Sequence, residues 1–345
     1  MPDISGFTSF VKEVEIRHSK HIITELLELL IKENQNSFEL AEIEGDALFY
    51  YKSEKNSSPK KLIDTIHSMY QKFHAHLDLY RFKRVCNCGA CSKANELEIK
   101  FVIHVGETEM IELNGTKKPF GPEVITLHRL LKNKVNTNEY ILFSEDYWIK
   151  NKLQIQEKLG EESQSIQDEF DFGNYSYVNY KLERKVNQET KASEMPQLDG
   201  ITPLKLDTLI KADPNDIFQY VVDFSKRIEW NPGLEDLKYD PKSLNGLGRN
   251  HTCVINGKNV DIKTIFANTS SQELIYIEET FDVPFLDSLI TLFRITSEKE
   301  FSKLEVEVYL KANKIIGKVM RPLIKIPLKK NMQACLLCLK ENIED

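Results

Sequence analysis

Along the first third of the chain the spacing of apolar positions changes period several times, and each change marks an element. Ile22, Ile23, Leu26, Leu27 and Leu30 recur at i, i+3, i+4, the stripe of an amphipathic helix, with Phe10, Val11 and Val14 opening it. Phe38 to Ile43 alternates, Glu44-Gly45-Asp46 turns and Ala47 to Tyr51 returns, which predicts a β-hairpin. Ser58-Pro59 supplies an N-cap and a first-turn proline for a second long helix through Leu62, Ile66, Tyr70, Phe73 and Leu77. Strands are expected over Leu97–Val105, Glu107–Leu113 and Tyr140–Phe143, a short helix through Val124, Leu127 and Leu130, and another through Ile149. This order predicts an α+β sandwich with helices over a sheet.

From Arg184 to Gly200 the apolar residues thin out and no period survives, as in a linker. Three segments follow: a domain over 1–183, a linker over 184–200 and a second domain over 201–345. In the last, Leu204–Ala212 reads as a strand and Asp213-Pro214 caps a helix that runs into Trp230. A series of strands comes next, with Asn256-Gly257 as a two-residue hairpin signal. A long helix from about Lys314 to Ile343, interrupted near Pro322 and Pro327, ends the chain.

At 345 residues, 41% hydrophobic and 29% charged, the chain is long enough for two cores. Its net charge of -7 and pI near 5.8 argue against a general nucleic-acid or anionic-membrane binder. No apolar run approaches the ~18–20 residues of a membrane span, and no basic-then-apolar leader follows Met1. A cytoplasmic location is the default, and the cysteines read as thiols or metal ligands of a reducing compartment.

Candidate chemistry gathers at two places. Asp3 and Asp46 each sit at the edge of a strand-like run with Gly6 or Gly45 close by. Two such strands side by side would aim both carboxylates at one point, as Mg²⁺ requires. Cys86, Cys88 and Cys91 form a Cys-x-Cys-x-x-Cys loop. It reads either as three ligands of a structural Zn²⁺, with His76 or His104 as the fourth, or as three free thiols.

Asp3-Ile4-Ser5-Gly6-Phe7-Thr8, Gly45-Asp46, Gly106 and Gly121-x-x-Val124-x-x-x-x-Arg129-Leu130 resemble, in order and spacing, the class III adenylyl/guanylyl cyclase catalytic domain over residues 1–183. The resemblance implies a ferredoxin-like sandwich, a homodimer with sites shared across its interface, and two Mg²⁺ or Mn²⁺ ions on a nucleoside triphosphate. It implies Asp3 and Asp46 as metal ligands, Ile4, Ser5, Gly6, Phe7 and Thr8 as phosphate-facing backbone, and Arg129 as the transition-state arginine. Where the family carries an asparagine, this chain has Ile125. Glu42 falls at the base-selecting position, glutamate in guanylyl cyclases, but Lys118 stands near the partner position where the family carries an aspartate or cysteine; that mismatch favours reading Glu42 as the polar face of a strand. The motif lies at the start of the chain, so either the strand supporting Asp3 begins upstream or the site is loosely held.

Residues 201–345 resemble the START-like superfamily, which includes polyketide cyclases, through the Asp213-Pro214 turn, Trp230 and Gly246-Leu247-Gly248. This implies a helix-grip fold with an apolar cavity, for which Trp230, Tyr276, Phe281, Phe285 and Phe293 are candidate walls, with Met320 and Leu323 from the helix; each reads also as plain core. The expected function is a signalling-type protein: a divergent nucleotidyl cyclase domain coupled to a domain for a small apolar ligand. The alternative is an active cyclase gated by the second domain.

Overall fold

The computed structural model describes the chain except residues 15, 83–84, 86–87, 114, 171–172, 185–194, 199–202, 241–244, 270–272, 313–314 and 345, and the side chains of 17, 82, 113, 116, 170 and 316–318. Most of the expected linker lies outside the described residues. The chain divides into two compact units: Met1–Asp78 with Lys93–Gln188, and Leu79–Ser92 with Glu189–Asp345. Sequence reading had placed 79–92 in the first.

Unit 1 runs β1 (Pro2–Ser5), α1 (Phe7–Glu13), α2 (Ile16–Glu33), β2 (Glu39–Glu44), β3 (Ala47–Tyr51) and α3 (Pro59–Phe82). After α4 (Gly89–Lys93) come β4 (Glu98–Ile103), β5 (Glu109–Leu113), β6 (Thr116–Phe120), α5 (Pro122–Leu130), β7 (Tyr140–Ser144), α6 (Glu145–Leu159), β8 (Gln164–Phe170) and β9 (Gly173–Lys181). Seven strands form one sheet in the order β2-β3-β1-β4-β7-β9-β8. Its first four are mutually antiparallel, the ferredoxin-like βαββαβ arrangement; β7 joins β4 in parallel. Alternation along the strands gives the sheet two apolar faces. Met1, Ala47, Phe49, Val102 and Leu142 pack with Leu127 and Leu130 of α5. The residues between them, Ile4, Leu48 and Phe101, are also buried.

Sequence and structure part company at the polar strands. β6 pairs with β5 as a separate two-stranded ribbon; of these two strands only β5 was expected. β8 and β9 carry few consecutive apolar residues and were not foreseen.

Unit 2 contains β10 (Leu204–Ile210), α7 (Pro214–Val222), α8 (Arg227–Trp230), β11 (Asp236–Lys238), β12 (Asn250–Ile255), β13 (Lys258–Thr269), β14 (Leu274–Thr280), β15 (Ser288–Glu298), β16 (Phe301–Lys311) and α9 (Ile315–Glu344). Its sheet, β10-β16-β15-β14-β13-β12-β11, is antiparallel throughout. Asp213 caps α7 by accepting from the Asn215 N–H. Asn256 and Gly257 both take positive φ, as a tight hairpin between β12 and β13 demands. Cys335, Leu336 and Leu339 of α9 enter one core with Tyr276, Phe293 and Val306 from the sheet, giving an α+β helix-grip. The helix continues through Pro322 and Pro327, correcting the expected interruption. Both prolines lie in its outer half, between exposed side chains, where water can satisfy the carbonyls they free.

Candidate functional site

β1 lies between β3 and β4, so Asp3 faces Ala47 on one side and Lys100 on the other. One Asp3 carboxylate oxygen is 3.0 Å from the Lys100 ammonium. Gly45, at φ 65, permits the tight turn that follows β2, and the Ile4 N–H donates to the Asp46 carbonyl at 3.2 Å. Strand pairing thus brings the two aspartates to one corner. Burial, and then the negative charge of Asp3, push the Asp46 carboxyl up to about 6, against the pull of Lys100. A half-buried carboxyl raised beside a second carboxylate is an all-oxygen donor set that gains by receiving a hard cation, so these residues fit Mg²⁺ or Mn²⁺.

Around that corner, Gly6 takes a left-handed φ of 86 and its carbonyl accepts from the Phe10 N–H. Ile4 is buried, Ser5 donates to the Asn138 carbonyl at 3.4 Å, and Thr8 is exposed. Glu42 and Lys118, read from sequence as an ill-matched base-selecting pair, meet at 2.8 Å across β2 and β6. Arg129 and Ile125 lie one turn apart on the exposed side of α5.

His128 carries no signal in the residue pattern of α5. Its Nε2 is 2.7 Å from the Glu44 carboxylate and its Nδ1 2.6 Å from the Val124 carbonyl. It fastens α5 to the β2–β3 hairpin, whose turn holds Gly45 and Asp46.

A cleft of about 870 Å³ opens elsewhere on unit 1, with Tyr50, Phe101, His104, Glu123 and Tyr147 in its walls; neither Asp3 nor Asp46 lines it. His104 meets Glu123 at 2.6 Å, and His76 meets Glu25 at 2.9 Å, so both histidines considered for a zinc site are held by carboxylates. Cys86 lies outside the described residues. The Cys91 N–H points at the Cys88 sulfur, 3.4 Å away, and Cys91 is buried.

In unit 2, Trp230, Tyr276 and Phe293 are fully buried and in edge or tilted ring contact. Phe281 is half-buried, whereas Phe285 and Leu323 are exposed and take no part in that cluster. Beside the aromatics lies a polar group that sequence reading missed. Arg227 reaches Glu278 through two hydrogen bonds of 2.9 and 2.6 Å, both side chains almost wholly buried. Burial alone would raise the Glu278 pKa, but the Arg227 charge and hydrogen bonds hold it below the usual carboxylate range. Asn245, Thr264 and Tyr276 form a closed hydrogen-bonded triad. By contrast Arg227 Nε, Trp230 Nε1 and both ring nitrogens of His251 are buried without a protein partner. Burial, reinforced by the Arg227 charge, drives His251 down to about 3.

Comparison with known proteins adds little to this chemistry. A family model described as a protein of unknown function (DUF2652) matches residues 23–140. An uncharacterized protein of Mycobacterium tuberculosis is 32% identical over 123 residues, 36% of this chain and 57% of that protein. The chain therefore spans little more than half the length of that relative. Among solved structures, a hypothetical protein of Helicobacter pylori is 9% identical, with 46% of this chain and 99% of that one covered, at a TM-score of 0.38. A START superfamily protein from Mycobacterium smegmatis is 13% identical, covering 41% and 97%, at 0.32. Norcoclaurine synthase from Thalictrum flavum is 13% identical, covering 41% and 87%, at 0.34. None of these names a nucleotidyl cyclase. The helix-grip description rests on the sheet and helix of unit 2 themselves.

Proposed function

We propose that unit 1 is a divergent class III cyclase-type domain that binds a divalent cation with a nucleoside triphosphate, and that unit 2 holds a small, mainly apolar ligand. The observation that carries the first part is the convergence of Asp3 and Asp46, with Asp46 raised by burial and by its neighbour. Together they would hold Mg²⁺ or Mn²⁺, which when bound would neutralise triphosphate charge. Glu42 and Lys118 set an acceptor beside a donor, the pattern that a purine's Watson–Crick edge requires. Leu40, Ile43, Met110, Phe120 and Ile125 are exposed on β2, the β5–β6 ribbon and α5. They support a homodimer formed through this side.

Ile125 donates no hydrogen bond. One missing preorganised donor costs on the order of 10²–10³ in rate, so binding without rapid turnover is the primary reading. The presence of Asp3, Asp46 and Arg129 together favours a second: slow cyclisation, with the ribose 3′-oxygen attacking the α-phosphorus and pyrophosphate leaving. For unit 2, the buried unpartnered nitrogens beside Trp230 and Phe293 support a ligand with an apolar body and one polar end.

The test is Mn²⁺-dependent binding of a fluorescent ATP or GTP analogue to purified protein, with Asp46→Ala alongside and cyclic product assayed in the same tubes. Binding that is lost in Asp46→Ala supports the reading, and cyclic product favours its catalytic form. Binding indifferent to Mn²⁺ and to Asp46 sinks both. Native mass spectrometry of freshly purified protein tests unit 2 by showing whether an apolar molecule is retained.

A further inference from the structure

Ile315, Val319, Leu323 and Ile326 stand 80%, 68%, 63% and 64% exposed on the first half of α9. Their spacing, i, i+4, i+8 and i+11, puts all four on one helix face. The second half of the same helix is different: Cys335, Leu336 and Leu339 are buried in the core of unit 2. One end of α9 therefore anchors the helix, while the other presents an apolar stripe outward.

Along the sequence of this segment the charges have a single sign. Lys314, Lys318, Arg321, Lys325, Lys329 and Lys330 are interspersed with the apolar positions, and no Asp or Glu occurs between Glu307 and Glu341. Lys329 and Lys330 are exposed, and Arg321 and Lys325 partly so. The net charge of -7, read above as disfavouring an anionic membrane, averages this segment away against acidic surface elsewhere. Nearby, the loop between β14 and β15 ends where the Asp287 N–H donates to the Lys311 carbonyl, at the end of the strand that leads into α9. That loop carries Phe285, 60% exposed and at a positive φ of 67.

We propose that the outer half of α9 docks on an anionic lipid surface. An exposed apolar stripe with a basic flank lies in the plane of a bilayer interface, its apolar side chains at the headgroup–acyl boundary and its cations on the anionic headgroups. No helix here is long and apolar enough to cross the bilayer; the contact is superficial. A second protein copy would bring the same cations onto each other, which disfavours self-pairing through this face. Docking requires neither a nucleotide in unit 1 nor a ligand in unit 2.

The experiment is co-sedimentation of the full chain with vesicles of phosphatidylcholine alone and with vesicles about one third phosphatidylglycerol. Partition onto the anionic vesicles should exceed that onto neutral ones at least about tenfold and should fall with added salt. Each cation near an anionic surface is worth about fivefold, so Lys325→Gln/Lys329→Gln/Lys330→Gln should lower partition by roughly 100-fold. Val319→Glu/Leu323→Glu, at exposed positions, should abolish it while leaving the circular dichroism spectrum unchanged. Equal or absent binding to both vesicle types overturns the proposal, as does full binding by both variants. It also fails if Val319→Glu/Leu323→Glu converts a dimer to a monomer with vesicle partition unchanged, since the face then joins two copies.

Discussion

His128 joins α5 to the β2–β3 hairpin through Glu44, its Nε2 2.7 Å from that carboxylate. The other ring nitrogen faces the Val124 carbonyl, so the ring is held between two oxygen atoms. The bond matters because Glu44 immediately precedes Gly45-Asp46 and His128 immediately precedes Arg129. The segments that carry Asp46 and Arg129 are thus held in register by a pair that lies outside the proposed site. His128→Ala should cost about 1 kcal/mol of stability, measured by urea denaturation. It should also weaken Mn²⁺-nucleotide binding more than that loss of folded protein explains. Unchanged affinity in the folded variant would remove His128 from any positioning role.

Asp46 supplies a pH signature. Its folded pKa, about 6, lies above the usual carboxylate value of 3.8, so the folded protein binds the extra proton more tightly than the unfolded chain. This group's contribution therefore favours the folded state at low pH and is lost as pH rises through 4 to 6, by about 1 kcal/mol once solvent screening of a half-exposed group is allowed for. Metal binding must displace that proton. Mn²⁺ affinity, followed by isothermal titration calorimetry, should drop about fourfold between pH 7 and 5.5. Asp46→Asn should bind weakly at both pH values.

Local features were legible in the sequence wherever a single residue type dictates geometry. Gly45 and Asn256-Gly257 announced their turns because few other residues tolerate a positive φ, and Asp213-Pro214 announced a cap for the same kind of reason. Asp3 and Asp46 could be paired as strand-edge carboxylates beside glycines, but their convergence depends on β1 pairing with β3, which no local pattern specifies. The contacts that hold each site together were not legible. Glu44 and His128 are 84 residues apart, and Arg227 and Glu278 are 51 apart. Each alone reads as a charged residue on an ordinary polar face. β8 and β9 escaped because strands with few apolar neighbours leave no strong period, and α9 outlasted its prolines because packing of its inner half overrides local propensity.

The Arg227–Glu278 pair yields a third prediction. Removing one partner of a buried ion pair strands the other charge, at a cost of about 3–5 kcal/mol. Glu278→Gln should therefore destabilise unit 2 by that amount, read from hydrogen exchange of the β13–β15 amides. Arg227→Met/Glu278→Leu should recover much of the loss, because no uncompensated charge is left behind. A double variant as unstable as the single one would mean that the pair contributes shape and hydrogen bonds rather than charge balance.

His251 makes unit 2 acid-sensitive in the sense opposite to Asp46. Its pKa falls from 6.5 to about 3 in the folded state, first because it is buried and then because Arg227 lies close. Between those values the unfolded chain binds a proton that the folded unit refuses, so stability is complete above pH 6.5 and drains away as pH falls toward 3. The shift corresponds to roughly 3–5 kcal/mol over the whole window. Protection of the β12–β14 amides against hydrogen exchange should fall steeply between pH 6 and 4, after correction for intrinsic rates. His251→Gln cannot take up that proton, so its profile should be flatter than wild type, whatever its stability at pH 7. A ligand whose polar end accepts a hydrogen bond from the ring would protect the neutral imidazole and deepen wild-type protection above pH 6. Parallel wild-type and His251→Gln profiles would move the acid sensitivity of unit 2 to another group.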